Sequence, residues 1–195
     1  MVQFVLTEGA AVPGHSSTKL TYADYVLLPD DGLRHEIIEG EHYVTASPST
    51  RHQRILLNLT YLIQGYLETR PVGEIFFAPF DVLLSQFNIL VPDLVYISKE
   101  RAYQLTAKNL QGAPNLVVEI LSPSTRRRDQ RLKRDVYKRT GVEEYWLVDP
   151  EDDVIVVVYR RVGGEFAEPR RFGRGETLIT PLLPGLELPL DRILA

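Results

Sequence analysis

One run of the chain, Leu116-Val117-Val118-Glu119-Ile120-Leu121, decides most of what can be built around it. Successive side chains of a strand point to opposite faces, and here both faces are apolar. Such a strand is covered on both sides, as an inner strand of a sheet with other layers above and below. One carboxylate interrupts it. An isolated buried charge costs several kcal/mol or is driven to protonate, so Glu119 requires a cation, hydrogen-bond partners or a pocket. A buried Arg beside it, or a strand end less covered than its neighbours, would make Glu119 structural. A bound metal or a reacting group would make it functional, and the strand by itself leaves both open.

The rest of the pattern supplies the layers. Thr21 with Asp24 marks the start of a short helix near 21–28, ended by Pro29-Asp30-Asp31-Gly32. Arg34–Ile38 and Glu41–Ala46 flank Glu39-Gly40 as a hairpin. Ser49 can cap a longer helix, in which Ile55, Leu56, Leu59, Leu62, Ile63 and Tyr66 recur at helical spacing up to Thr69. Strands are expected at Gly73–Leu84 (broken at Pro79), Leu90–Ser98 and Asn115–Leu121, with 99–114 as a connection. A helix from Thr125 to Thr140 stops at Gly141, before strands at Glu144–Val148 and Val154–Arg160 and shorter ones around Phe166, Arg171 and Leu178. This order predicts an α+β fold, an α/β sandwich with a mixed sheet flanked by helices. At 195 residues the chain makes one domain, read as residues 19–195 behind a flexible N-terminal arm at 1–18.

Composition excludes some classes of function. No apolar run approaches the roughly 20 residues that span a bilayer. The first residues lack a basic stretch followed by an apolar core, so a cytoplasmic location is the default expectation. With no Cys there are no disulfides and no thiolate metal ligands. Formal charge is −4, yet residues 126–139 carry eight Lys/Arg against two Asp, a local +6 that leaves −10 on the remainder. A basic segment on an acidic body can steer a polyanion to one place; it is equally the pattern of a solvated helix face.

That basic segment is not uniform. At 100° per residue, with Leu132 set at zero, Val136 falls at about 40°, Asp129 at about 60°, Lys133 at about 100° and Tyr137 at about 140°. Arg128, Arg131, Arg134, Lys138 and Arg139 fall on the opposite side. One lysine is therefore turned with the apolar residues, where a lysine is rare and usually has a task. An Asp129–Lys133 pair at i,i+4 is the plainer alternative. Asp93, in Val91-Pro92-Asp93-Leu94-Val95, stands at the beginning of an expected strand, although Pro-Asp is also a common turn opening.

Two carboxylates on neighbouring strands can hold Mg²⁺ or Mn²⁺ through hard oxygen ligands, and an adjacent lysine can stabilise charge on a phosphoryl group. The order Pro92-Asp93, then Val118-Glu119-Ile120-Leu121-Ser122-Pro123-Ser124-Thr125, then Asp129-x-x-x-Lys133-x-x-x-Tyr137, then Gly141-Val142-x-Glu144-Tyr145-Trp146-Leu147-Val148-Asp149-Pro150 resembles the bacterial Uma-type putative restriction endonuclease family, within the PD-(D/E)XK nuclease superfamily. The likeness runs from about Tyr22 to Tyr159 and is most specific over 118–150. It implies a restriction endonuclease-like core with Asp93 and Glu119 as metal ligands and Lys133 as the third catalytic residue. It also implies an acid from the first hairpin, for which Glu36 is the candidate third ligand. His52-Gln53 matches a family pattern at the start of the long helix, as structural support or phosphate contact. One departure stands out. The superfamily places its lysine two residues after the second acid, but position 121 is Leu, and the lysine is displaced to Lys133.

The resulting expectation is a Mg²⁺- or Mn²⁺-dependent endodeoxyribonuclease, with Arg128, Arg131, Arg134, Lys138, His52 and Gln53 as candidate nucleic-acid contacts. DNA is favoured over RNA, and a homodimer suits the cutting of both strands. The alternative is a nucleic-acid-binding module on a nuclease scaffold that no longer cuts. A carboxylate-pair hydrolase acting on sugars has no use for the inward lysine. His15, His35, His42 and His52 form no zinc-ligand spacing.

Overall fold

The computed structural model describes residues 19–151 and 154–195; the expected N-terminal arm at 1–18 lies outside them. α1 (Tyr22–Tyr25) opens where Thr21 and Asp24 predict, the Asp24 carboxylate accepting from the Thr21 N–H at 2.7 Å. β1 (Arg34–Ile38) and β2 (Glu41–Thr45) form the hairpin, with Ile38 opposite Glu41. Its two turn residues, Glu39 and Gly40, have φ of 56° and 83°, the left-handed pair that matches strand twist. Ser49 caps α2 (Thr50–Thr69) by accepting from the His52 N–H at 3.2 Å.

Then follow β3 (Gly73–Phe77), β4 (Asp81–Ser85), β5 (Asn88–Leu90), β6 (Leu94–Ser98), a 3₁₀ turn at Lys99–Gln104, β7 (Asn109–Gln111) and β8 (Leu116–Ile120). The 125–140 helix is continuous but has three parts: α3 (Arg126–Arg128), a π turn at Asp129–Lys133, and α4 (Arg134–Thr140). Gly141, at φ 101°, ends it. The chain continues through β9 (Glu144–Val148), β10 (Val154–Val162), β11 (Glu165–Phe166), β12 (Arg170–Gly173), β13 (Thr177–Ile179), β14 (Glu187–Pro189) and α5 (Leu190–Leu194).

The α+β expectation holds, with two mixed sheets in place of one. The larger sheet runs β11-β10-β9-β8-β6-β3, with β12 also paired to β10; β8 and β9 are parallel and its other pairings antiparallel. The smaller sheet runs β2-β1-β5-β4-β7. The strand expected at 73–84 is divided between these sheets, β3 going to the larger and β4 to the smaller, while that expected at 90–98 supplies β6 to the larger and only its first residue, Leu90, to β5 of the smaller. Pro79 and Pro92, which cannot donate to a ladder, sit at the two crossings. β7, β14 and α5 were not anticipated, being short and without a clear period.

Alternation along the strands sorts the core. Leu94 and Tyr96 of β6, Leu116, Val118 and Ile120 of β8, and Trp146 and Val148 of β9 pack with α2 and the C-terminal segment. Val95, Ile97, Val117, Tyr145 and Leu147 face the other way, onto Ile38, Val82 and Leu90 of the smaller sheet and Val136 and Tyr137 of α4. β8 is thus covered on both faces, and Glu119 shares the second face with Val117 and Leu121. No helix among the described residues is long and apolar enough to cross a membrane.

Candidate active site

Glu119 projects from β8 into the layer between the larger sheet, the smaller sheet and the crossover helix. Its Oε1 accepts from Lys133 Nζ at 3.0 Å and from the Tyr137 hydroxyl at 2.9 Å. Lys133 is 1% exposed, and its Nζ also lies 2.7 Å from Glu36 Oε1 and 3.6 Å from Asp129 Oδ1. The inward turn expected of Lys133 is therefore observed, with one adjustment. Leu132, the reference of the wheel, is only half-buried, and the buried line runs Asp129, Lys133, Val136, Tyr137. The π turn, a feature that recurs at functional sites, carries both Asp129 and Lys133 on the inward side.

Glu36 is fully buried on β1. Its Oε1 accepts from the Val91 N–H at 2.9 Å, while Oε2 lies 3.6 Å from an Arg128 nitrogen and has no hydrogen-bond partner. Asp93 precedes β6 in the connection from β5. Both of its oxygens are held: Oδ1 by Arg34 at 2.7 Å, Oδ2 by the Ile120 N–H at 2.8 Å and by His52 Nε2 at 3.0 Å. The Ile120 contact ties Asp93 to the backbone beside Glu119. Three carboxylates, those of Glu36, Glu119 and Asp129, thus surround one buried ammonium with Asp93 beside them, and the ionisation of the acids separates. Burial pushes Glu119 up, to about 8; Lys133 opposes this, while Asp129, Asp93 and Glu36 add to it. Burial also raises Asp93, but the His52 hydrogen bond and the Arg34 charge outweigh it and hold the carboxyl at about 2. Burial disfavours the charge on Lys133, yet Glu119, Glu36 and Asp129 keep it protonated well above the ordinary lysine range.

The structure brings Glu36, Asp93, Glu119, Lys133 and His52 into one cluster of contacts. It does not bring the expected nucleic-acid contacts together. Arg128 is not on the solvent face: its Nη2 donates to Thr45 Oγ1 at 2.7 Å and its guanidinium lies over the Tyr43 ring. The wheel sets Arg128 on the side opposite the apolar residues, but the β1–β2 hairpin closes over it there. His52 is buried against Asp93, whereas Gln53 and Arg131 are exposed. Arg134 and Lys138 are half-buried and paired, with Asp135 and Glu165, each at 3.0 Å. Arg34 and Asp129 were not singled out as site residues. Arg34 stands two residues before Glu36 on one strand and so shares its face, a parity visible in the sequence.

A cleft opens beside Asp93 in two adjoining lobes of about 330 and 380 Å³, both lined by Arg34, Thr45–Pro48 and His52. Among the described residues, no three His, Asp or Glu side chains form a ready metal cage. The donor set nevertheless fits a hard divalent cation. Glu36, Asp93 and Glu119 offer only carboxylate oxygens, and the buried Glu36 Oε2 lacks a hydrogen-bond donor.

The model of the Uma2 family, described as putative restriction endonuclease, matches residues 22–191. The chain belongs to the Uma2 family. A relative from Synechocystis sp., an uncharacterized protein, is 27% identical over 133 residues, or 67% of this chain and 75% of the relative. Among solved structures, a putative nuclease of the DUF820 group from Anabaena variabilis superposes with a TM-score of 0.76 and 21% identity, over 90% of this chain and 97% of that one. That likeness establishes the fold. The Uma2 family and the fold together indicate a restriction endonuclease-like nuclease, with nucleic acid as its substrate.

Proposed function

We propose that this Uma2 protein is a Mg²⁺- or Mn²⁺-dependent endodeoxyribonuclease acting at Glu36, Asp93, Glu119 and Lys133. The observation that carries the reading is Lys133, an ammonium buried between carboxylates from two different sheets. Structural ion pairs are seldom built from one lysine and three acids, since the uncompensated charge is costly. Glu36, Asp93 and Glu119 would hold the divalent ion. When bound, it supplies an activated water and neutralises charge on the phosphoryl oxygens.

The chain's own residues do the rest. Arg34 and His52 fix the direction of Asp93, and Tyr137 fixes Glu119. The cleft beside Arg34 and His52 admits the backbone of a polynucleotide. Lys133 Nζ donates to the attacking water or to the phosphoryl oxygen as charge develops there. Water attacks phosphorus in line, the 3′ oxygen leaves and takes up a proton, and the products carry a 5′-phosphate and a 3′-hydroxyl. Cutting both strands of a duplex suits a homodimer, and the reaction belongs to the cytoplasm.

Purified protein should cleave DNA with Mg²⁺ or Mn²⁺ and lose that activity in EDTA. Glu119→Gln and Lys133→Met should each lower cleavage by about 10²-fold or more while circular dichroism stays native. Equal cleavage by both variants would remove the site assignment. A wild type that neither cleaves nor binds Mn²⁺ by calorimetry would be the silent nucleic-acid-binding scaffold.

A further inference from the structure

A second groove lies on the same face of the larger sheet as Glu119. Pairing register runs in a straight line from Glu119 on β8 to Leu147 on β9, Val157 on β10 and Arg171 on β12. Residues opposite one another in register share a face, so Arg171 projects from the side that carries Glu119. The Phe172 side chain, one position on, is buried on the other side, with α2. Three strand spacings of about 4.8 Å put Arg171 about 14 Å from Glu119.

The crossover helix forms the opposite wall, contributing Arg131 and Arg134, and Tyr159 lines the same groove, which encloses about 560 Å³. Its acids are already matched: Asp135 is paired with Arg134 at 3.0 Å, and Asp149 with Arg126 at 2.8 Å. Arg131 and Arg171 are exposed, and neither guanidinium has an ion-pair or hydrogen-bond partner among the described residues. Two uncompensated guanidinium groups therefore face each other across one trough. Leu121 lines both this groove and the cleft beside His52, so the two adjoin.

We propose that this groove is a flanking-phosphate site, in which Arg131 and Arg171 hold the backbone of a bound nucleic-acid strand about four stacked nucleotides from the phosphate at Glu119. The proposal rests on the nuclease reading for the position of the central phosphate. Two phosphates neutralised there add to affinity without touching the chemistry at Lys133. Guanidinium suits the task, because its planar fork grips two phosphate oxygens at once.

The test is fluorescence anisotropy in EDTA, where nothing is cut, with fluorescein-labelled single-stranded oligonucleotides of about 3 and about 12 nucleotides. Wild type should bind the longer probe more tightly. Arg131→Ala/Arg171→Ala should weaken binding of the longer probe about tenfold and flatten its log K against log salt slope by 1 to 2, leaving the shorter probe unaffected. Because both side chains are exposed, the thermal midpoint of the variant should match wild type. An unchanged salt slope, equal loss on both probes, or no binding of the longer probe by wild type would overturn the proposal. Cleavage in Mn²⁺ is read separately. Length-dependent binding without cleavage keeps the groove and discards the nuclease reading, and cleavage with an unchanged slope does the reverse.

Discussion

Two buried glutamates in adjacent strands show what distinguishes a site from a structural pair. Glu144 on β9 is as buried as Glu119, but it is answered by Arg160 Nε at 2.6 Å and by the Trp146 indole N–H at 2.7 Å. Glu119 has a tyrosine hydroxyl and a lysine shared with two other acids. That sharing makes Lys133 expensive to lose: Lys133→Met, which keeps most of the volume, should cost about 3–5 kcal/mol in urea unfolding, in addition to activity. Asp93 makes the opposite case. Its carboxyl is held at about 2, below its ordinary 3.8, so its ionised form stabilises the fold above the ordinary value. That contribution is about 2 kcal/mol at neutral pH and is lost as pH falls from near 4 to near 2. Asp93→Asn should therefore be clearly less stable than wild type at pH 7, and the gap should narrow in acid, as read by denaturant titrations across that range. Glu119 was legible in the sequence because an acid in an apolar strand demands an answer. Arg34 was not, since a charged residue in a half-buried hairpin strand is ordinary until its partner across the chain is known.

At the scale of elements, the helices from α1 to α4 were read with few errors, because caps and periods are local. Ser49 is an example: its side chain closes the first turn of α2, and that turn carries His52 against Asp93. Ser49→Ala should cost about 1 kcal/mol in chemical denaturation and loosen His52 without abolishing the fold. The π turn was invisible in the sequence. A wheel drawn at one fixed angle finds the inward lysine, but it cannot show where the helix widens to admit two charged side chains. The division of strands between sheets was also hidden, because alternation reports which residues are buried and not against which layer.

For the molecule as a whole, the two faces of the larger sheet have different tasks. One face, with α2 and the C-terminal segment, is apolar apart from the Glu144–Arg160 pair, while the other contains the acids around Lys133 and the basic crossover. Amide exchange should be slowest in β6, β8 and β9, which are buried on both faces, and fastest along β2, whose outer edge is unpaired in the sheet. Hydrogen-exchange mass spectrometry would show this gradient directly. Oligomeric state belongs to the same scale: a homodimer is expected, and light scattering would report it.

The parallel pairing of β8 and β9 also fixes an order of events. A chain that has reached Ile120 already contains Glu36, Asp93 and Glu119, but no ammonium to set among them. Lys133 arrives on the crossover and is seated only when that crossover closes and β9 docks beside β8. The centre is therefore finished from within and late. In pulse-labelled refolding, cleavage should return no sooner than protection of the β9 amides.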